Sequence, residues 1–276
     1  MVPFDIPYET SHTDIVLRSN DAKPVDLRAH RCVLSSASSF FSTMFSLPQP
    51  PSSDPSPSPV VEMSEGAALL RPLLQFIYPV PDPIITTLDE LVPLMGTAAK
   101  YDMTGVLSRL RASLVTPTFL EKEPVRVFAI ASRFDLEEEA KIASSQTLRI
   151  NVLDSPLCDD LKYITAHSFI RLLNLHRRRA EAAQEALIIT DEVKCMHCNG
   201  RGAYTSFALP RWWIEFRDRA KEELRVRPTS DVIFSMAFLA GVAQASDCQR
   251  CPASILDSHA FLEALKAKID ALPSTI

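Results

Sequence analysis

Glycine is scarce in this chain, six residues among 276, and the six form no G-x-G-x-x-G, no phosphate-binding loop and no G-x-S-x-G elbow. H-E-x-x-H is missing as well. Those motifs supply the tight backbone approach, the exposed nucleophile or the open metal position that catalysis uses, so an enzyme is not the expectation. Basic excess is lacking too. The formal net charge is -5, and from Glu121 onward 21 Lys and Arg face 22 Asp and Glu. A broad phosphate-binding surface needs a positive balance, so direct nucleic-acid binding is not expected. The longest apolar run, Val232 to Ala243, is interrupted by Ser235 and Gly241. It is too short for a hydrocarbon layer of about 30 Å, and no membrane role is expected. The first ten residues, MVPFDIPYET, contain no basic segment followed by an apolar one and do not read as a secretory signal. A reducing compartment, cytoplasmic and/or nuclear, is the expectation. The six cysteines then read as thiols or metal ligands and not as a disulfide framework.

What is present is a chain 46% hydrophobic and 23% charged, able to bury a sizeable core and long enough for about two domains. Its organising stretch is Ala29 to Phe45, AHRCVLSSASSFFSTMF. Val33, Leu34, Ala37, Phe40, Phe41, Met44 and Phe45 recur at helical spacing, broken once at the serines, so two short helices meeting at a serine corner are predicted. Two extended segments precede it, Asp14–Arg18 and Val25–Arg28, joined through Ser19-Asn20-Asp21; this reads as a hairpin. A Pro/Ser-rich stretch at 48–59 reads as a surface insertion.

Further on, Pro59–Met63 predicts a short third strand and Ala67–Tyr78 an apolar helix stopped by Pro79, Pro81 and Pro83. Thr87 with Glu90 predicts a capping box. Val106, Leu107, Leu110 and Leu114 supply the next helix. Helical spacing continues from Pro124, with Asp135 expected as the cap of a helix through Leu148, and a further helix expected over about Thr165 to Ile189. The dense basic run His176-Arg177-Arg178-Arg179 lies within that last helix and reads as a solvated face. A helix around Trp212, Trp213, Phe216 and Leu224, the Val232–Ala243 helix and a closing amphipathic helix complete the pattern.

The order of the D-I-V-L strand, A-H-R-x-V-L, S-x-F-F-x-x-M-F, then Phe76-Ile77-Tyr78-Pro79 and Ala98-Ala99-Lys100-Tyr101-Asp102-Met103 resembles a BTB (POZ) domain. The later helices resemble the BACK extension that follows some BTB domains. The last third resembles the C-terminal region of stand-alone fungal BTB proteins. The resemblance implies an α+β BTB/POZ fold, a short sheet covered by a helix cluster, followed by an all-α region. The expected layout is an extension at 1–11, a BTB/POZ domain at 12–116, a BACK-like extension at 117–190 and a helical C-terminal region at 191–276. It also implies self-association as a homodimer through Val33, Leu34, Phe40, Phe41 and Met44. A charged pocket of Asp14, His30 and Arg31 is implied as well, with Asp14 buried against Arg31 and Asp21 merely in a turn. The partners implied are protein partners, among them a cullin scaffold, which would make this a ubiquitin ligase adaptor; the alternative is a transcription-related scaffold.

The strongest chemical signal is C-x-x-C twice, Cys195/Cys198 and Cys248/Cys251. A two-residue gap lets a tight knuckle present two soft thiolates to one ion, so a structural Zn2+ site with these four ligands is the favoured reading. Gly200 and Gly202 suit the turn after the first pair. Unliganded thiols and a thiol redox pair remain the alternatives, as does, from another class, a zinc-dependent nucleic-acid binder. His197 is expected to point away from the ion, and Cys32 and Cys158 to be buried small hydrophobes.

Overall fold

The computed structural model describes residues 13–48, 58–189, 193–199 and 209–276. The extension at 1–11, most of the Pro/Ser stretch and Gly200 and Gly202 lie outside the described residues. The chain divides into two compact units, Met1–Phe119 and Leu120–Ile276.

In the first unit, successive side chains of β1 (Ile15–Arg18) point to opposite faces, so Ile15 and Leu17 are buried while Val16 and Arg18 are half-buried. β1 is the central strand. β2 (Asp26–Ala29) pairs with it antiparallel, Leu17 opposite Leu27, and β3 (Val60–Glu62) pairs parallel, Val16 opposite Val60. Arg18 stands opposite Asp26 on one side and Glu62 on the other, at 2.7 and 3.4 Å, so one cation bridges both cross-strand neighbours.

The serine corner forms as expected. α1 (Arg31–Ala37) and α2 (Ser39–Ser46) meet at Ser38, whose hydroxyl accepts from the Phe41 amide at 3.1 Å and donates to the Tyr101 carbonyl at 2.5 Å. α3 (Ala67–Ile77) and α4 (Leu88–Lys100) follow, with α5 (Thr104–Leu114). The Thr87–Glu90 capping box is present. Pro72 and Pro93 sit inside α3 and α4, whereas the prolines after Tyr78 lie beyond the end of α3.

α4 ends on Asp102 at φ 52°, with the Met103 amide bonded to the Ala98 carbonyl at 2.8 Å and the Asp102 amide to Ala99 at 3.1 Å. That is a Schellman stop with aspartate where glycine is usual, and the Asp102 carboxylate also accepts from the Ser39 hydroxyl. The same device corrects one expectation. Asp135 does not cap the start of a helix: at φ 54° it ends the preceding one, and the Leu136 amide reaches back to the Ala131 carbonyl at 2.8 Å. An aspartate that can either accept an amide or tolerate the left-handed region reads alike in sequence for both roles.

The second unit is all-helical among the described residues. α6 (Pro117–Lys122) precedes α7 (Pro124–Arg133) and α8 (Glu137–Thr147). Two short 3-10 turns, Val152–Asp154 and Asp159–Tyr163, lead to the long α9 (Ala166–Ala186). The buried Asp160 carboxylate holds Arg126 at 2.8 Å and Arg133 at 3.6 Å, which fixes the second turn against α7. α10 (Arg211–Val226) carries the centre of the core, Trp212, Trp213, Phe216, Ala220 and Leu224, all fully buried. The predicted Val232 helix is two: α11 (Ser230–Ile233) and α12 (Met236–Ala245), because the Ser235 hydroxyl takes the Phe238 amide at 3.2 Å and starts a new helix. α13 (Cys251–Asp257) and α14 (His259–Asp270) split the closing segment likewise. Phe234, Phe238 and Phe261 pack edge-on or tilted against Phe216 and Trp213 with ring centres 5.5 to 5.8 Å apart.

The basic run is a second correction. Arg177 and Arg178 are exposed, but Arg179 is 6% exposed and His176 is half-buried, within 3.0 Å of the Thr147 hydroxyl. Burial lowers the His176 pKa to about 4, so this ring is neutral near pH 7. The Arg179 guanidinium donates to the carbonyls of Pro228 at 2.8 Å, Ile269 at 3.0 Å, Pro273 at 3.0 Å and Leu272. Ile269 lies in the last turn of α14, whose carbonyls have no helical partner, so one arginine closes that helix end. Replacing it takes the donor from the carbonyl of the buried Pro228 and breaks the ties to Ile269, Leu272 and Pro273. Arg179→Met is expected to lower unfolding free energy by about 3 kcal/mol or more, and Arg177→Ala to change it by less than about 0.5. Urea unfolding of the two variants checks this, and equal midpoints would contradict it.

Candidate metal centre and domain surface

Four cysteines separated by up to 56 positions meet in the second unit. Cys195 and Cys198 lie on a turn before α10; Cys248 follows α12 and Cys251 opens α13. All four sulfurs lie within 4.8 Å of one another. Cys195 to Cys248 is 3.9 Å, Cys195 to Cys251 3.9 Å and Cys198 to Cys251 3.6 Å. A disulfide bond is about 2.05 Å long, so these are free thiols. In a tetrahedron with metal–sulfur bonds of about 2.3 Å, neighbouring sulfurs stand about 3.8 Å apart. The spacing therefore fits a small tetrahedral ion held by thiolates, and the residues present can hold one.

The surroundings divide the four sulfurs, favouring the charged form at two of them and opposing it at the other two. Cys195 receives the backbone amides of Cys198 and His197 and the Ser254 hydroxyl; these hold its pKa below the usual thiol value although burial opposes them. Burial also opposes ionisation of Cys248, yet the Arg250 amide, the His197 ring and the Cys251 side chain and amide bring it down to about 6. Burial, reinforced by the neighbouring Cys198 and Cys248 sulfurs, pushes Cys251 up to about 12, against donation from Ser246 and the Trp212 amide. Burial raises Cys198 as well, and the Arg211 amide at 3.4 Å works the other way. Arg211 and Trp212 are the first two residues of α10, a helix whose N-cap, Pro210, offers no side-chain cap. The orphan amides of that helix start are thus directed at two of the sulfurs, where the positive end of the helix favours thiolate. Arg211 also donates to the Asp247 carbonyl at 3.0 Å, and Asp247 at φ 46° turns the chain into the second knuckle.

Three expectations change here. His197 does not point away: its Nδ1 is 3.5 Å from Cys248 Sγ. Cys32 is exposed and Cys158 half-buried, so neither is a core residue. The α10 amides were not foreseeable from the cysteine spacing, since their approach depends on how α10 packs and not on any local motif.

The charged trio of the first unit is brought close without an ion pair. Asp14 is exposed, and its carboxylate accepts from the backbone amide of Arg31 at 2.8 Å, capping α1 from the neighbouring strand. The Arg31 guanidinium lies over the Phe45 ring at 5.3 Å, and its Nε is buried without a hydrogen-bond partner. The His30 Nδ1 and amide both meet the Tyr78 hydroxyl at 3.0 Å. The predicted interface residues also divide. Leu34 and Phe41 are 0% and 1% exposed and belong to the core, so they offer no outer surface, whereas Val33, Phe40 and Met44 reach solvent.

A small mixed sheet with a hairpin, a cornered helix pair and a cluster of further helices defines an α+β domain. Residues 6–118 match the BTB/POZ domain family, and the chain carries a BTB/POZ domain. No curated protein matches the chain. BTB/POZ domains are protein-interaction modules, so protein partnering is the class of function that this match indicates. No helix among the described residues is long and apolar enough to cross a membrane.

Asp21 does more than sit in a turn. Asp21 accepts from the Ala67 amide at 2.8 Å and the Ser19 hydroxyl at 2.7 Å, tying the hairpin turn to the start of α3. The Ala67 amide, then the Ser19 hydroxyl, lower its pKa. A carboxylate with a depressed folded pKa contributes stability above its unfolded pKa, and that contribution is lost as pH falls through the folded value. Asp21→Ala is therefore expected to lower the melting temperature at least as much as Asp14→Ala at about pH 6, and its deficit relative to wild type to shrink below about pH 4. Melting curves at the two pH values decide it, and a deficit that grows on acidification would contradict it.

Proposed function

We propose that this protein is a non-enzymatic interaction module that associates with a second copy of itself through its BTB/POZ unit. A zinc ion on Cys195, Cys198, Cys248 and Cys251 would fasten the helical unit. The observation that carries the association is Phe40, 45% exposed on α2, one turn before the half-buried Met44 on the same helix; Val33 of α1 is half-buried as well. A large aromatic ring left half in water at a helix corner gains by being covered, and a twofold-related copy presents the same patch. A cullin scaffold is the partner class proposed for the assembled dimer, which would make the protein a ubiquitin ligase adaptor, in a cytoplasmic or nuclear setting that keeps thiols reduced. Pull-down with the intact chain tests it.

Zinc is proposed because four thiolates at tetrahedral spacing suit a soft, redox-inert divalent ion, and because four sulfur ligands leave no position for an activated water. Its work would be structural. Zn2+ with four thiolates carries two net negative charges, which the α10 amides and the knuckle amides are placed to offset.

Two expected outcomes follow from the two halves of the proposal. Light scattering behind a sizing column should give a dimer mass at tens of micromolar, and Phe40→Asp should shift it to monomer with unchanged helical circular dichroism; a wild-type monomer would reject self-association. Protein purified without chelator should contain one equivalent of zinc. Cys198→Ser and Cys251→Ser should each lose it and red-shift the emission of Trp212 and Trp213, both fully buried. Cys32→Ser should retain it. Less than about half an equivalent, or retention in both knuckle variants, would reject a shared four-thiolate site.

A further inference from the structure

One face of α9 is not accounted for by the core. Arg171, Asn174, Leu175, Arg178 and Ala182 recur at steps of three and four and line one wall of a cavity of about 500 Å³. Arg179 lies at its inner end, and Pro273, Thr275 and Ile276 form the opposite wall. The tail that makes this wall is fastened. Arg179 holds the Leu272 and Pro273 carbonyls, and the Ile276 amide donates to the Ser144 hydroxyl at 3.2 Å. The cavity is therefore bounded by fixed elements on both sides.

Its charged side chains are of one sign, although Arg171 also lines a neighbouring cavity with Asp135 and Glu137. The lining side chains include three arginines and no aspartate or glutamate. Arg179 is saturated by backbone carbonyls, with Asp270 as its nearest acidic influence. Arg171 and Arg178 are exposed at the mouth, and neither forms an ion pair among the described residues, although Glu181 and Glu185 follow on the same helix. Most other arginines of this unit outside the basic run are engaged: Arg126, Arg133, Arg149, Arg211, Arg217, Arg219, Arg225 and Arg227 each hold a carboxylate. Leu175, Ala182, Pro273 and Ile276 give the floor an apolar character. Two free guanidinium forks above an apolar floor suit a ligand with carboxylates spaced around an apolar side chain.

We propose that this cavity is a docking site for an acidic peptide segment of a partner protein, one that sets an apolar side chain on Leu175 and Ala182 and carboxylates on Arg171 and Arg178. The site lies wholly in the helical unit. It is independent of BTB self-association and of the cysteine cluster, so its failure and theirs are separable.

The test uses the full chain and a fluorescein-labelled peptide of alternating glutamate and leucine, with a lysine–leucine peptide and a short oligothymidylate as comparators, all read by fluorescence anisotropy. Each guanidinium–carboxylate pair contributes on the order of one tenfold step. The acidic peptide is expected to bind saturably, and R171A and R178A to weaken it about tenfold each, with binding falling as salt rises. R177A, on the same helix but outside the cavity, should change affinity less than about twofold. All three are exposed positions, and unchanged circular dichroism and zinc content keep the comparison on one fold. The assignment is overturned by absence of saturable binding, by equal losses in R177A and R178A, by affinity unchanged in R171A and R178A, or by an oligothymidylate or lysine peptide that binds as tightly as the acidic one.

Discussion

The convergence of four sulfurs beneath the first turn of α10 is the constraint on which the helical unit depends. Two short knuckles, before α10 and between α12 and α13, fix the beginning of the helix that carries Trp212, Trp213 and Phe216. A helix start with unpaired amides would usually take a serine or aspartate cap; here the N-cap is Pro210, and sulfur accepts the Arg211 and Trp212 amides. The same arrangement serves two needs, since helix-start amides without an intrahelical acceptor are met by cysteine sulfurs that burial has taken from water. At the other end of the unit, Arg179 performs the converse, giving donors to the carbonyls that finish α14.

In the BTB/POZ unit the comparable devices are carboxylates reaching from one element to the start of another. Asp14 leaves the first strand to cap α1, and Asp21 leaves the hairpin turn to bind the first amide of α3. Gly66, just before that amide, approaches so closely that a Cβ there would stand 2.7 Å from an Asp21 oxygen. A side chain at this point would have to displace the Asp21 carboxylate, so what favours glycine here is a close approach and not a left-handed backbone. The sheet contributes little buried area with three short strands, so these polar ties, with Ser38 to Tyr101, position the helices whose apolar sides then complete the core.

How much of this was legible follows from whether the signal is local. The hairpin, the serine corner and the Thr87–Glu90 box are written in adjacent residues, and they stand where the pattern put them. The cysteine pairs could be read because two-residue spacing is itself local, although their meeting is not. Asp14, by contrast, was read as a buried partner for the Arg31 side chain, when it is the Arg31 backbone that it binds; sequence carries the residue types but not which atoms meet. Leu34 and Phe41 share the helical spacing of Phe40, and only tertiary packing separates the core side of that stripe from the outer side. Arg179 looked like its neighbours in a basic run, and the carbonyls that bury it come from about 50 to 94 positions downstream.

The separation of the two knuckles also sets an order in time. Forty-nine residues lie between Cys198 and Cys248, and at synthesis rates of about 5–20 residues per second the first pair of thiols waits about 3–10 seconds for the second. During that interval the nascent chain presents a half-built chelate and a helix whose tryptophans have no cover. The first pair of thiols has to stay reduced until the second arrives if all four sulfurs are to meet.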